Sequence, residues 1–511
     1  MSKSEIAVAA ALASLCLNCH AFSESDMHPP RPDRPWFPVT TINGQIIPGS
    51  GPVSTQSEKS DYTLPGNADL GVLPLPLDID REKTYSLAEL INIAASNNPV
   101  TRIAWNDARN AALATDMVES TYQPKITGKA ATVYQSNSTQ NTALGYTVNG
   151  NNSGTGAVAA ISLEWLLFDF GERAALLEAT KHASVVSNIA YTAAHQQVIY
   201  GVTIAFYAHA AARTRVETAT KSVDNANIIH DAAKERYKNG IGTVIEVAQA
   251  RQACAQASLA LVQAKGALED AYQNLVLAMG IPPMTKLKIA DVSSRELSPT
   301  LLPSVEKFLN DALSRRPDVL GAYAAQKASL ANVQVAQSEF KPKLFVAATV
   351  GQSSGGVSAT NIPTIGQQAT TLDISGSRRA SSIFLGVTMP LYDGGSRKTT
   401  LAKASIEAEN AELRLNRVRA EAIHQVVLAR NALHTSLSSY SASQILLDAA
   451  QTTFDAALNA YRSGVGSLTE LTLADTQLML AKNSLSDAYN AALVAAATLA
   501  LSTGGLGSAP H

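Results

Sequence analysis

The sequence predicts a mainly α-helical chain with a β-barrel part. It has two tandem copies of a long helical hairpin, each carrying a pair of strands. Three observations predict this. The chain repeats itself, each copy holds a very long proline-free helical stretch, and each copy has a pair of alternating apolar segments just before that stretch. The repeat is direct: Leu167-Phe168-Asp169-Phe170-Gly171-Glu172-Arg173 returns as Leu391-Tyr392-Asp393-Gly394-Gly395-Ser396-Arg397, 224 positions on. Tyr237-Lys238-Asn239-Gly240-Ile241-Gly242-Thr243 returns as Tyr461-Arg462-Ser463-Gly464-Val465-Gly466-Ser467, and Met279-Gly280 as Thr503-Gly504, at the same offset. Asn98-Pro99-Val100 against Arg316-Pro317-Asp318, and Tyr122-Gln123-Pro124-Lys125 against Phe340-Lys341-Pro342-Lys343, lie 218 apart. Six extra residues therefore fall between Pro342 and Leu391. The organisation that follows is a first repeat at 86–280, a proline-marked linker at 281–303, a second repeat at 304–506 and a tail at 507–511.

Each element has a local reason. Residues 1–21 read as a secretion signal, with apolar Ile6 to Leu17 behind Lys3 and a cut after Ala21; Cys16 and Cys19 are alternative lipid-attachment points. Residues 22–85 carry Pro29, Pro30, Pro32, Pro35, Pro38, Pro74 and Pro76 without helical period, so an extended arm is expected. Ser86 to Tyr122 is helical in period, opens on a Ser86–Glu89 capping box and is closed by Pro124. Ile126 to Tyr134 and Val158 to Leu167 read as strands, the latter with Ile161, Leu163, Trp165 and Leu167 on one face. Between them Ser136 to Gly156 reads as a polar loop. The second copy has strands at Leu344 to Gly351 and Ile383 to Leu391 around a polar loop at Gln352 to Ser382. From Gly171 to Asn239, and again from Gly395 to Ser463, no proline interrupts a helical pattern that would run ~100 Å. A glycine turn follows each. The returning helices, Val244 to Ala278 and Leu468 to Ser502, are half as long, and the helix from Ser86 (or from Pro317 to Phe340) completes the length by stacking end to end.

Composition narrows the function. The 511 residues carry a net charge of −2 and 5% aromatics, so no basic face points to nucleic acid. No run of 18 apolar residues lies outside the N-terminus, and Ala491 to Leu501 is too short to span a bilayer. Any membrane span is then a β-barrel. Four strands cannot close one, but three chains supply twelve, an even number within the known range. The rival is a soluble hairpin packed on helices.

Arg316-Pro317-Asp318-Val319, Phe340-Lys341-Pro342, Pro390-Leu391-Tyr392-Asp393-Gly394-Gly395 and Tyr461-Arg462-Ser463-Gly464 followed by Thr469-Glu470-Leu471 resemble the TolC-like outer-membrane efflux protein family. The resemblance covers about 86–506, duplication included. It implies a homotrimer with a twelve-stranded transmembrane β-barrel in outer-membrane lipid and a periplasmic α-helical barrel. It also implies a passive exit duct for efflux or type I secretion. Its partners would be a periplasmic adaptor (membrane fusion) protein and an inner-membrane pump of RND, ABC or MFS type. It places Tyr237–Glu246 and Tyr461–Glu470 at the periplasmic tips, where Glu470 matches an acidic constriction position of the second hairpin and Glu246 is its counterpart in the first copy. Arg462 and Asp475 are nearby charges, while Leu473 and Gly466 stand where an acidic and a basic residue are usual. The plainer reading of both glutamates is a solvated first-turn residue held by the helix dipole. Gly240, Gly242, Gly464 and Gly466 form the hairpin-tip turns, where adaptors would dock.

Other signals are weaker. Cys16-Leu17-Asn18-Cys19-His20 matches a haem-attachment pattern but lies within the signal. Gly351-Gln352-Ser353-Ser354-Gly355 matches G-x-S-x-G without the strand-to-helix turn that a nucleophile needs. The histidines on the long helices form no ligand cluster, no phosphate loop is present, and no cofactor or metal is expected. A transport conduit, a structural periplasmic or surface coiled-coil protein without channel activity, and an enzyme lacking a coherent constellation are the classes in play.

Overall fold

A computed structural model describes residues 38–42, 45–50, 82–143, 146–291, 305–361 and 371–506, short stretches between 64 and 80, and residue 297. The signal segment with Cys16 and Cys19, and the tail at 507–511, lie outside the described residues. The chain divides into two compact units, 1–77 and 78–511. In the first, β1 (Pro38–Thr40) pairs antiparallel with β2 (Ile46–Ser50), so the arm holds a short hairpin that its proline content concealed.

The second unit opens with β3 (Thr84–Tyr85), which pairs parallel with β6 (Lys288–Ile289) of the expected linker. The helix expected from Ser86 to Tyr122 is two helices, α1 (Leu87–Asn97) and α2 (Pro99–Ser120). Pro99 supplies the reason. Proline disfavours a helical conformation in the residue before it, and Asn98 is extended (φ −68°, ψ 126°) and caps α2 through its side chain. The Ser86–Glu89 capping box forms. The second copy is built alike, with α5 (Val305–Arg315) and α6 (Pro317–Ser338) broken at Arg316.

The strands are longer than the apolar pattern suggests. β4 (Lys125–Ala143), β5 (Tyr146–Phe168), β7 (Lys343–Asn361) and β8 (Thr371–Thr388) form one antiparallel sheet in the order β4-β5-β7-β8. The expected polar loops are mostly strand: β4 and β5 stay paired from Lys125↔Glu164 to Ala143↔Tyr146. Backbone ladder bonds form whatever the side chain, so Asn, Ser, Thr and Gly extend a hairpin already registered by its apolar end. β4 and β7 are both 19 residues long at an offset of 218, which puts the six extra residues after Asn361.

The long helices are α3 (Glu172–Lys238) and α7 (Ser396–Arg462), 67 residues each, returning as α4 (Val244–Met279) and α8 (Leu468–Ser502). α3 packs against α4, α2, α6 and α8, largely through alanines such as Ala175, Ala179, Ala226 and Ala233, whose small side chains let long helices run close. The duplicated motifs are its joints. Asn98 Nδ2 donates to the Ala278 carbonyl (3.1 Å), and Arg316 Nη1 to that of Ser502 (2.9 Å), so each helix break rests on the end of its returning helix. At the strand-to-helix turn, Asp169 accepts from the Arg173 backbone N–H (3.0 Å) and Nε (2.8 Å), and the Arg173 guanidinium lies 4.5 Å from the Tyr122 ring. Asp393, Arg397 and Phe340 repeat the arrangement. Both aspartates are held below the usual carboxylate range. For Asp169 burial opposes the shift and the Arg173 hydrogen bonds outweigh it; for Asp393 the Arg397 bonds lead.

Candidate functional site: the hairpin tips

Each tip is made by a short sequence that stops one helix and starts the next. After α3, Gly240 takes φ 76°, and the Ile241 and Gly242 N–H groups both donate to the Arg236 carbonyl. After α7, Gly464 takes φ 84°, and Val465 and Gly466 donate to that of Ala460. A Cβ on Gly242 would stand 2.9 Å from the Tyr237 nitrogen, and one on Gly466 3.0 Å from that of Tyr461, so both turns close on the helix they leave. Thr243 and Ser467 then cap α4 and α8, accepting from the N–H of Glu246 and Glu470 (both 3.2 Å).

The two tips are not equivalent. Tyr461 is fully buried, whereas Tyr237 at the matching position is half exposed. The Tyr461 ring sits in an apolar cluster with Ile229, Ala233, Phe454, Leu468, Leu471 and Leu478, which joins both hairpins. Arg236, at the end of α3, reaches across: Nη1 donates to the Tyr461 carbonyl (2.6 Å), and the guanidinium stacks 4.6 Å from the ring. The Tyr461 hydroxyl donates to Glu246 Oε2 (3.4 Å). Burial, then the Glu246 carboxylate, push the phenol's pKa up. Further along the seam between α3 and α8, Asn225 Nδ2 donates to Asp475 Oδ1 (2.8 Å), Arg215 pairs with Asp487 (2.7 Å), and the Tyr200 and Thr498 hydroxyls meet (3.0 Å). Burial raises the Asp475 pKa against the Asn225 bond and Lys482; burial, then Lys221, lowers that of Lys482.

The structure thus brings together Tyr461 and Glu246, and sets Asp475 against the other hairpin. It does not bring in the rest. Glu470 is exposed and its carboxylate accepts from the Ser467 N–H (3.1 Å), completing a capping box. Arg462 is exposed, with no ion pair among the described residues. Arg236 and Asn225 escaped sequence reading because their counterparts in the other copy, Ala460 and Ala449, carry no polar side chain. Their one signal was that a duplicated position had become polar in a single copy. Gly351–Gly355 lies within β7, which continues as strand to Asn361, so Ser353 is not at a nucleophile elbow. Among the described residues, no group of His, Cys, Asp and Glu is placed to hold a metal. No described helix is long and apolar enough to cross a membrane.

Comparison with known proteins settles the family. The outer membrane efflux protein family model matches residues 90–281 and again 308–505. The chain belongs to the outer membrane efflux protein family. It is an outer-membrane channel, not an enzyme. Protein CyaE of Bordetella pertussis is 29% identical over 80% of this chain and 82% of its own length. Outer membrane protein TolC of Escherichia coli K12 is 23% identical over 67% and 68%. Among solved structures, the outer membrane protein VceC of Vibrio cholerae superposes with a TM-score of 0.68 at 18% identity, over 82% of this chain and 96% of that one. The long hairpins and four antiparallel strands are therefore the fold of these efflux channels, whose family is trimeric.

Proposed function

We propose that three copies of this chain pool their sheets into a twelve-stranded transmembrane barrel continuous with an α-helical duct. The observation that carries this is the sheet itself. Its edges, β4 and β8, have no further partner strand among the described residues, and because the four strands alternate in direction, β8 of one chain meets β4 of the next antiparallel. One face is apolar and uncovered: Ile383 is 84% exposed, and Ile161, Leu385 and Val387 stand on the same side. A lone sheet with open edges and a bare apolar face is stable neither in water nor in lipid; closure in a bilayer satisfies both.

The tips are the periplasmic entrance. Arg236, Tyr461 and Glu246 hold the two hairpins of one chain together, and the Glu470 carboxylates line the axis, favouring cations. Exposed Ile241, Val244 and Ile245 on one tip and Val465 on the other form the apolar surface on which a periplasmic adaptor docks, coupling the duct to an inner-membrane pump. Relatives include a "Cation efflux system protein CusC" and an "Alkaline protease secretion protein AprF", each at 24% identity or less. Cargo is accordingly assigned to the pump rather than to the duct. The test is purification from outer membranes: a heat-resistant trimer in SDS that conducts ions across planar bilayers is expected, and a monomer soluble without detergent would refute the barrel. In the same recordings Glu470→Ala is expected to lower cation selectivity; unchanged selectivity and unchanged block by divalent ions would remove Glu470 from the axis.

A further inference from the structure

Among the described side chains, the apolar face of the sheet carries a single charge. Strand register puts Ala130, Ala159, Gln352 and Arg379 in one row across the four strands, on the side that also holds Ile161, Val350 and Ile383. Lys125, Lys129, Glu164 and Arg378 all alternate to the opposite side. Among the described side chains on the apolar face, Arg379 alone is ionised, and it makes no hydrogen bond or ion pair with any described residue. A charge facing lipid is costly at the bilayer centre and tolerated near its rim. Its position fits the rim: Arg379 is eight residues from Val387 on the same face of β8, ~27 Å along the strand and ~21 Å of depth at a tilt of ~40°. That nearly spans the ~25 Å apolar band of such barrels. The helices leave the sheet at its other end, so Arg379 lies toward the hairpin turns, on the outer-leaflet side.

Beside it the surface is hollow. A depression of about 510 Å³ is lined by Ala130, Ala159, Ile161, Val350, Gln352 and Arg379, and by Lys129 of the row that alternates to the other side. An apolar floor ending in an amide and an unpaired guanidinium is complementary to one kind of occupant, an acyl chain attached to an anionic head. The guanidinium fork matches phosphate in a two-point contact that an ammonium cannot make.

We propose that Arg379, Gln352 and the adjoining hollow bind a phosphate-bearing lipid of the outer leaflet, one per subunit. This rests on the barrel being embedded as described above. The experiment uses the trimer reconstituted in phosphatidylethanolamine nanodiscs containing a small fraction of lipid A, with lipid A retained per trimer read by native mass spectrometry. Arg379→Gln is expected to retain about tenfold less than the unsubstituted protein, the loss of one charge-assisted contact. Arg379→Lys, with the charge but not the fork, is expected to fall between, and Arg378→Gln, on the opposite face, to retain as much as the unsubstituted trimer. Equal retention by Arg379→Gln, or equal loss in Arg378→Gln, would overturn the site. Displacement of lipid A by millimolar inorganic phosphate would also overturn it, marking a site for the free anion. Absence of any detergent-stable trimer for the unsubstituted chain would overturn the barrel reading and this site with it; a normal trimer with unaltered lipid A retention would overturn the site alone.

Discussion

Replacing Arg236 by alanine should loosen the hairpin tips, the proposed periplasmic entrance, by an amount that the contacts set. The side chain makes one short charge-assisted hydrogen bond, 2.6 Å to the Tyr461 carbonyl, and one stacked contact, 4.6 Å to the Tyr461 ring. A hydrogen bond to a charged group contributes ~1.5–3 kcal/mol and a partly desolvated cation–π contact ~0.5–2 kcal/mol. The two share one guanidinium and do not add fully, so ~2–4 kcal/mol per chain is a fair range. At ~1.4 kcal/mol per tenfold, that favours the joined hairpins of each subunit by ~30-fold or more, and three subunits compound it. The assay is single-channel recording of purified trimers in planar bilayers. Arg236→Ala should raise conductance or open probability; Arg236→Lys should restore part of the effect, keeping charge without the planar stack. Tyr461→Phe removes only the 3.4 Å contact to Glu246 and should do much less. A folded Arg236→Ala trimer that conducts and gates like the unsubstituted channel would refute the claim that this residue ties the hairpins.

Two further outcomes follow from the geometry. Asp475 has its pKa raised above 3.8 by burial, so its ionised form opposes folding. Its contribution is most favourable below pH 3.8 and declines as pH rises through the elevated folded value. Asp475→Asn, which can keep the Asn225 bond, should therefore stabilise the hairpin seam more at pH 7 than at pH 4; thermal melts at the two pH values, showing equal or opposite changes, would refute this. Asp169→Asn breaks a buried pair with Arg173 and should cost ~3–5 kcal/mol, read as lost trimer on heating in SDS, with a smaller loss for Asp393→Asn at the more exposed copy.

The helices were legible because their signals are local. Ser86 with Glu89 announces a helix start within four residues, and proline-free periodicity carries α3 and α7 between glycine turns. The strands were legible only where one face is apolar. Beyond Tyr134 and before Val158 the side chains turn polar and alternation vanishes, yet the ladder continues, because what sustains it is pairing with the opposite strand rather than any property of the residue. The break at Asn98 was written in Pro99 and was masked by helical pattern on both sides.

The sequence by itself determined two copies of one plan, most of their helix ends and turns, and an apolar strand face that must be covered by lipid or by packed helices. Only the tertiary structure decided how the copies differ. Tyr237 and Tyr461 occupy matching positions in matching motifs, but one is exposed and the other buried beneath Arg236. That contact joins residues 225 positions apart across the seam between hairpins. A duplicated sequence describes each hairpin alone; which hairpin covers the other depends on packing between them, and no local pattern encodes it.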